Sequence, residues 1–484
     1  MRCAGLRTVF VTCLTAALIA CVASSAFGAP VPVKPGVAEA GQFPPAAWCR
    51  CHSTQLAEWQ DSMHAKALGD PIFLTEVSHA EDAAGREMGT FCRRCHAPVA
   101  NMTGQDGNLS PTQSASEGVT CSFCHQVVGS TTPYGNVSQL LQPNGLMYGP
   151  IKDPQSPHAP KYSAFFTKAA FCGSCHDLRH PGTGVPLLST YSEWKNSPQA
   201  KQGLQCQDCH MSESPPARGP SFGYAEPTGP QRENIYHMTF AGAQVALGNA
   251  ARATALLRSA ATLRVRAPEI VAPGTAATVT VTVTNVGAGH YLPTGVTETR
   301  RMWVELVFTD VDGNEKSLGT HLFGTEFKDA EGAHPVGSWA AAGVVRDDRI
   351  APQTSSTVDF AFMAPVAMIR GSLDARLLYQ SESDELATEA DVDNPITTMA
   401  ESSSPVFGSK EAKTAARDEP AGTSGAIPTA EPTGHRMPSV LWVCCGLLFG
   451  LVALGGAILL GRRASRSGGG QQDTSDEDDA ADDQ

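Results

Sequence analysis

Phe91-Cys92-Arg93-Arg94-Cys95-His96, Thr120-Cys121-Ser122-Phe123-Cys124-His125, Phe171-Cys172-Gly173-Ser174-Cys175-His176 and Gln205-Cys206-Gln207-Asp208-Cys209-His210 spell one pattern, Cys-x-x-Cys-His, four times. Two thiols at that spacing reach the two vinyl groups of a haem, and the adjoining histidine turns back to ligate iron from one face. An irregular fifth copy, Trp48-Cys49-Arg50-Cys51-His52, precedes them. The expected cofactor is therefore haem c: four groups held by Cys92, Cys95, Cys121, Cys124, Cys172, Cys175, Cys206 and Cys209, with a fifth at Cys51 and Cys49. The matching iron ligands are His96, His125, His176, His210 and His52. Zinc sites also use paired cysteines, but they gather four ligands from two pairs. Neither zinc nor a disulfide framework calls for a histidine after every second cysteine.

An iron that only carries electrons takes a second axial ligand, and imidazole suits it. His64, His158 and His237 are the first candidates, followed by His79, His180 and His290. Met63, Met211 and Met238 each sit beside a histidine in sequence and are read as packing residues. The segment also contains a repeat. Glu58-Trp59-Gln60-Asp61-Ser62 recurs as Glu193-Trp194-Lys195-Asn196-Ser197, with His64 after the first copy and Gln199 at the same offset after the second. Each tryptophan is expected to pack on a porphyrin and each serine to cap a turn.

Three stretches carry a family resemblance: Phe171 to Asp177, Thr190-Tyr191-Ser192-Glu193-Trp194, and Cys206 to Met211. Together they resemble a multihaem cytochrome c family that includes the tetrahaem electron carrier of ammonia oxidisers and cytochromes of metal-respiring bacteria. Cys51-His52 through Glu58-Trp59 to Ser62 and His64-Ala65 is similar to the first haem module of that family. Arg232 to Gly242 resembles the segment that brings a distal histidine, here His237, after the last haem. The resemblance covers roughly residues 45 to 310. It departs at position 48, where the family places a cysteine and this chain has Trp48. A single thioether through Cys51, help from Cys49, and no haem at all remain open there.

The surrounding chain implies a multidomain protein. Residues 1–28 read as a signal peptide, with Arg2 and Arg7 before an apolar run and small residues at Ala26 and Gly28. Leu18-Ile19-Ala20-Cys21 alternatively resembles a lipobox. Residues 40–240, rich in Pro and Gly and poor in apolar periodicity, are expected to form a short-helix and loop haem domain with almost no sheet. Residues 241–263 read as a connecting helix. Residues 264–400 read as an all-β immunoglobulin-like sandwich, because Val279, Val281 and Val283 alternate with threonines and Val358, Phe360 and Phe362 share one face. Met302 to Phe308 and, more weakly, Leu373 to Tyr379 are further strand candidates, and Asp312-Gly313-Asn314 is a turn signal. Asn285-Val286-Gly287-Ala288-Gly289-His290 is a glycine-rich loop whose backbone can approach a neighbour closely.

Residues 401–438 read as a flexible tether, 439–460 as a single C-terminal transmembrane helix of about 22 residues, and 461–484 as a cytoplasmic acidic tail. Arg462, Arg463 and Arg466 after the span imply an inner-membrane protein with its haem domain outside the cytoplasm. Aspartates in the tail contribute much of the net charge of −13, and nothing suggests nucleic-acid binding. The expected function is electron relay between redox partners, such as other cytochromes or a quinol-oxidising complex. The alternative is a reductase or oxidase of a small nitrogen or sulfur compound, which needs one iron with an open position. No Cys-x-x-Cys-Lys site is present.

Overall fold

The computed structural model describes residues 29–105 and 114–418. The haem region and the β-domain fall in one compact unit that ends at Ala416.

Short helices dominate the haem region: α1 (Ser53–Asp61), α2 (Pro71–Ala84), α3 (Arg86–His96) and α4 (Thr190–Lys195) are the ones that matter for the site. Their starts follow local chemistry. Asp70 accepts the N–H of Ile72 ahead of α2, whose first residue is Pro71, a residue whose missing donor is harmless in a first turn. Gly85, at φ +86°, separates α2 from α3. Beyond the helices, the region holds small sheets of two or three strands, including the hairpin of Ser221–Tyr224 and Gln231–Ile235. These ribbons correct the expectation of almost no sheet. With only 2–5 residues each, they carry too little alternation to stand out in sequence.

Helix α5 (Ala250–Ala260) leads out of the haem region. It begins where Asn249 caps Arg252, later than the expected 241, and residues 261–263 already belong to a strand. Besides a separate ribbon of two short strands, Thr325–Lys328 and Gly343–Asp347, the β-domain has seven strands: β1 (Ala261–Arg266), β2 (Ala276–Asn285), β3 (Arg301–Asp310), β4 (Glu315–Phe323), β5 (Ser355–Met363), β6 (Arg370–Gln380) and β7 (Thr397–Phe407). They form two antiparallel sheets, β1-β2-β5 and β4-β3-β6-β7. Val279, Val281 and Val283 of β2 face Val304, Leu306, Leu373 and Leu377 of the other sheet, all fully buried. The alternation that marks β2 is thus one wall of a sandwich core. The Asp312-Gly313-Asn314 signal is realised as the β3–β4 turn, with Gly313 at φ +83° and Asp310 accepting the N–H groups of Asp312 and Asn314.

Two expectations about the C-terminal side change. The expected tether begins inside β7, which runs to Phe407 as an edge strand; serine-rich and containing Pro405, it is tolerated because at Pro405 only its β6 side is paired, the other side being joined to the chain at Phe407 alone. A helix, Lys410–Asp418, follows it. Among the described residues no helix is long and apolar enough to cross a membrane. The single C-terminal transmembrane helix and the inner-membrane placement built on it are therefore withdrawn. The expected span, 439–460, lies outside the described residues, as do the signal peptide, the lipobox at Cys21 and the acidic tail.

Candidate haem-binding site

The ten cysteines from Cys49 to Cys209 are all free. Among the described residues no three or more His, Cys, Asp or Glu side chains converge as a metal site, so the thiols do not gather as zinc ligands do. Instead they meet in pairs across motifs. Cys49 lies beside Cys121, Cys95 beside Cys175, and Cys172 beside Cys206. Cys124 and Cys175 also feel one another's charge. These contacts link all five motifs into one connected group. Cys49 meets the first cysteine of another motif, as Cys172 does, while Cys51 is exposed. Cys49 thus stands against the first thiol of another motif as Cys172 stands against Cys206.

Four of the five motif histidines are oriented by a hydrogen bond from one ring nitrogen, which leaves the other free for a metal. Nδ1 of His52 faces the carbonyl of Ala225 at 2.6 Å, that of His125 faces Tyr148 O at 2.6 Å, and that of His210 faces Ala241 O at 2.5 Å. His96 makes a longer contact to Ala67 O, 3.3 Å. A carbonyl can only accept, so Nδ1 carries the proton and Nε2 is left with a free lone pair, the tautomer that binds metals. Burial holds His96 and His210 neutral, with pKa values pushed down to about 4, and His64 down to about 3. Neutral imidazole is the ligating form.

Three histidine pairs stand at one separation. The ring centres of His52 and His158, of His64 and His176, and of His210 and His290 are each 6.2 Å apart. Two imidazoles on opposite faces of one first-row metal ion, each with its nitrogen about 2.0 Å from the metal and its ring centre roughly 1.1 Å further, lie about 6.2 Å apart. The residues present therefore fit haem iron held between two imidazoles. His96 and His125 are placed differently: His96 stacks on Phe73 at 3.8 Å, and His125 on Phe166 at 5.4 Å.

The remaining distal candidates are engaged elsewhere. His237 pairs through Nδ1 with Glu58 at 2.5 Å and through Nε2 with Ser221 at 3.2 Å. His79 pairs with Glu389 at 2.7 Å, and His180 with Trp339 O at 2.9 Å. The serines of the repeat cap turns as expected, Ser62 accepting from Ala65 and Ser197 from Ala200. Sequence reading missed what the tryptophans do. Trp59 donates to Val119 O at 2.9 Å and Trp194 to Leu204 O at 3.0 Å, in each case two residues before the first cysteine of a motif. The repeat itself was the signal.

A family model described as cytochrome c554 and c-prime matches residues 48–126, which include the irregular motif and the two that follow. A penta-heme cytochrome c552 from Thermochromatium tepidum superposes with a TM-score of 0.56 at 20% identity, over 76% of this chain and 100% of that one. That share is more than the haem region alone supplies, so the common fold takes in β-domain as well. This chain is a multihaem c-type cytochrome. The cytochrome is also 24% identical over 205 residues to the cytochrome c nitrite reductase subunit NrfA of Nitratidesulfovibrio vulgaris, across 36% of this chain and 35% of the relative. The match thus spans about a third of that curated protein's length.

Proposed function

We propose that this cytochrome relays electrons through five haem c groups held at Cys49/Cys51-His52 and at the four regular motifs. The observation that carries the reading is the common 6.2 Å separation of the three imidazole pairs, one of which includes His52 of the irregular motif. His52 with His158, His176 with His64 and His210 with His290 would each close both axial positions of one iron. Bound haem supplies one-electron redox chemistry at a metal whose potential the ligands and their surroundings set. The chain would space the groups through the neighbouring thiols and orient four of the five motif imidazoles through backbone carbonyls. His158 is exposed and Trp48 is 76% exposed, which favours the His52 site as the place where a redox protein partner exchanges electrons.

A second reading rests on His96 and His125. Every other described histidine is paired with an imidazole or bonded to another group, so neither of these two has an imidazole left to oppose it. An iron at either position would keep a face for a small ligand, as reduction of a nitrogen oxyanion such as nitrite requires. The similarity to a nitrite reductase subunit points the same way.

Reductive titration of the matured protein, with haem quantified per chain, tests the relay. Five haems taking up five electrons per chain are expected. Four would remove the His52 site from the relay. Nitrite added to the reduced protein separates the readings: a pure relay stays reduced, whereas a reductase reoxidises over many turnovers.

A further inference from the structure

The Glu-Trp-x-x-Ser repeat has a third component. In each copy the glutamate accepts the backbone N–H of the residue that follows a histidine brought from a distant segment. Glu58 Oε2 takes Met238 N–H at 2.8 Å, just after His237, and Glu193 Oε2 takes Tyr291 N–H at 3.1 Å, just after His290. The grip of the second copy is closed on further sides. Thr294 Oγ1 donates to the same oxygen at 2.9 Å, and Arg349 donates to Glu193 Oε1 at 2.6 Å. Asp347 holds Arg349 in turn, and the guanidinium lies over the Tyr291 ring.

Gln199 adds a second hold. It occupies the offset at which the first copy carries His64, and its Nε2 donates to Ala288 O at 3.2 Å. At Gly289 a Cβ would come within 3.3 Å of Gln199 and 3.4 Å of Trp194, so the loop lies directly against α4 and the turn after it. Within the loop, Asn285 donates to His290 O at 2.9 Å and accepts from Ala288 N–H at 3.1 Å.

We propose that Glu193 and Gln199 are positioning residues that hold the 285–295 loop of the β-domain so that His290 stands opposite His210. The second axial ligand at the Cys206–His210 site is then conditional on the docking of the β-domain through this latch. The proposal rests on the reading of His290 as a ligand. An imidazole delivered on a glycine-containing loop is set only as well as the loop is held, and axial-ligand geometry tunes iron potential and spin state.

The test uses the full-length, haem-loaded protein with EPR and a potentiometric titration. His290→Ala is the reference and is expected to abolish one low-spin signal. Glu193→Ala and Gln199→Ala are expected to convert part of that same signal to high-spin and shift that iron's potential, leaving the other low-spin signals alone. Glu193→Gln, which keeps an oxygen acceptor for Tyr291 N–H, restores most of the signal. Should Glu193→Ala fail to fold, Gln199→Ala removes a single neutral hydrogen bond and still carries the test. If His290→Ala leaves every low-spin signal intact, the ligand reading itself falls, and the proposal with it. If His290→Ala removes one signal while folded Gln199→Ala and Glu193→Ala keep it at the wild-type potential, the positioning role is overturned.

Discussion

His290, on a loop of the β-domain, faces His210 of the last Cys-x-x-Cys-His motif with ring centres 6.2 Å apart and ring planes inclined by 21°. With His290 as the second ligand, as proposed, the β-domain would belong to the redox unit. In His290→Ala, one low-spin iron signal is expected to vanish and to return when free imidazole is added, because the small ligand can enter the space the side chain filled. A signal that is lost and does not return with imidazole would mean that the substitution had disturbed the fold instead of removing a ligand.

The irregular motif makes its own prediction. Cys49 lies beside Cys121, and Cys51 adjoins His52. Both are expected to be bonded to haem, so alkylation of the unfolded holoprotein followed by peptide mass spectrometry should label neither. Labelling of Cys49 alone would indicate a single thioether through Cys51.

Glu298 is half-buried ahead of β3, but both of its carboxylate oxygens are shut off from solvent without an aligned hydrogen-bond partner, with Glu76 of α2 as an acidic neighbour. Burial first, and then Glu76, raises its pKa to about 7; burial likewise raises Glu76 to about 7, against the opposing pull of His79 and with help from Glu382 and Glu389. A carboxyl with a raised folded pKa favours the folded state fully below its unfolded pKa, and that contribution is lost as pH rises through the folded value. Glu298→Gln, neutral at every pH, should therefore gain stability over wild type at pH 8, by on the order of 3 kcal/mol, and gain none near pH 4. Guanidinium unfolding at the two pH values checks this; an equal gain at both would contradict it.

Leu377 lies fully buried in β6, between β3 and β7. Leu377→Ala should destabilise the protein by about 2–5 kcal/mol through lost burial and the cavity left behind. Denaturant titration followed by circular dichroism gives the value.

Much of this was legible in the sequence, and the exceptions have physical causes. The motif histidines follow from covalent spacing, and β2 from the Val279-Val281-Val283 alternation. β6 reads weakly because a central strand pairs on both sides and loses its polar face near Leu377, Leu378 and Tyr379. β7 hides behind its serines and Pro405, which only an edge position tolerates. Among the distal candidates, spacing could not separate His158, His64 and His290, which meet motif histidines, from His237, which meets Glu58. That choice is made by contacts between distant segments. Glu193 was visible only as a letter in a repeat, because its partners Tyr291, Thr294 and Arg349 come from another domain.

The most direct measurement is the EPR spectrum of the fully oxidised protein, integrated against haem per chain. The account predicts five haems, three with the low-spin signature of two axial imidazoles and two, at His96 and His125, without it. Five such signatures, or fewer than three, would contradict it.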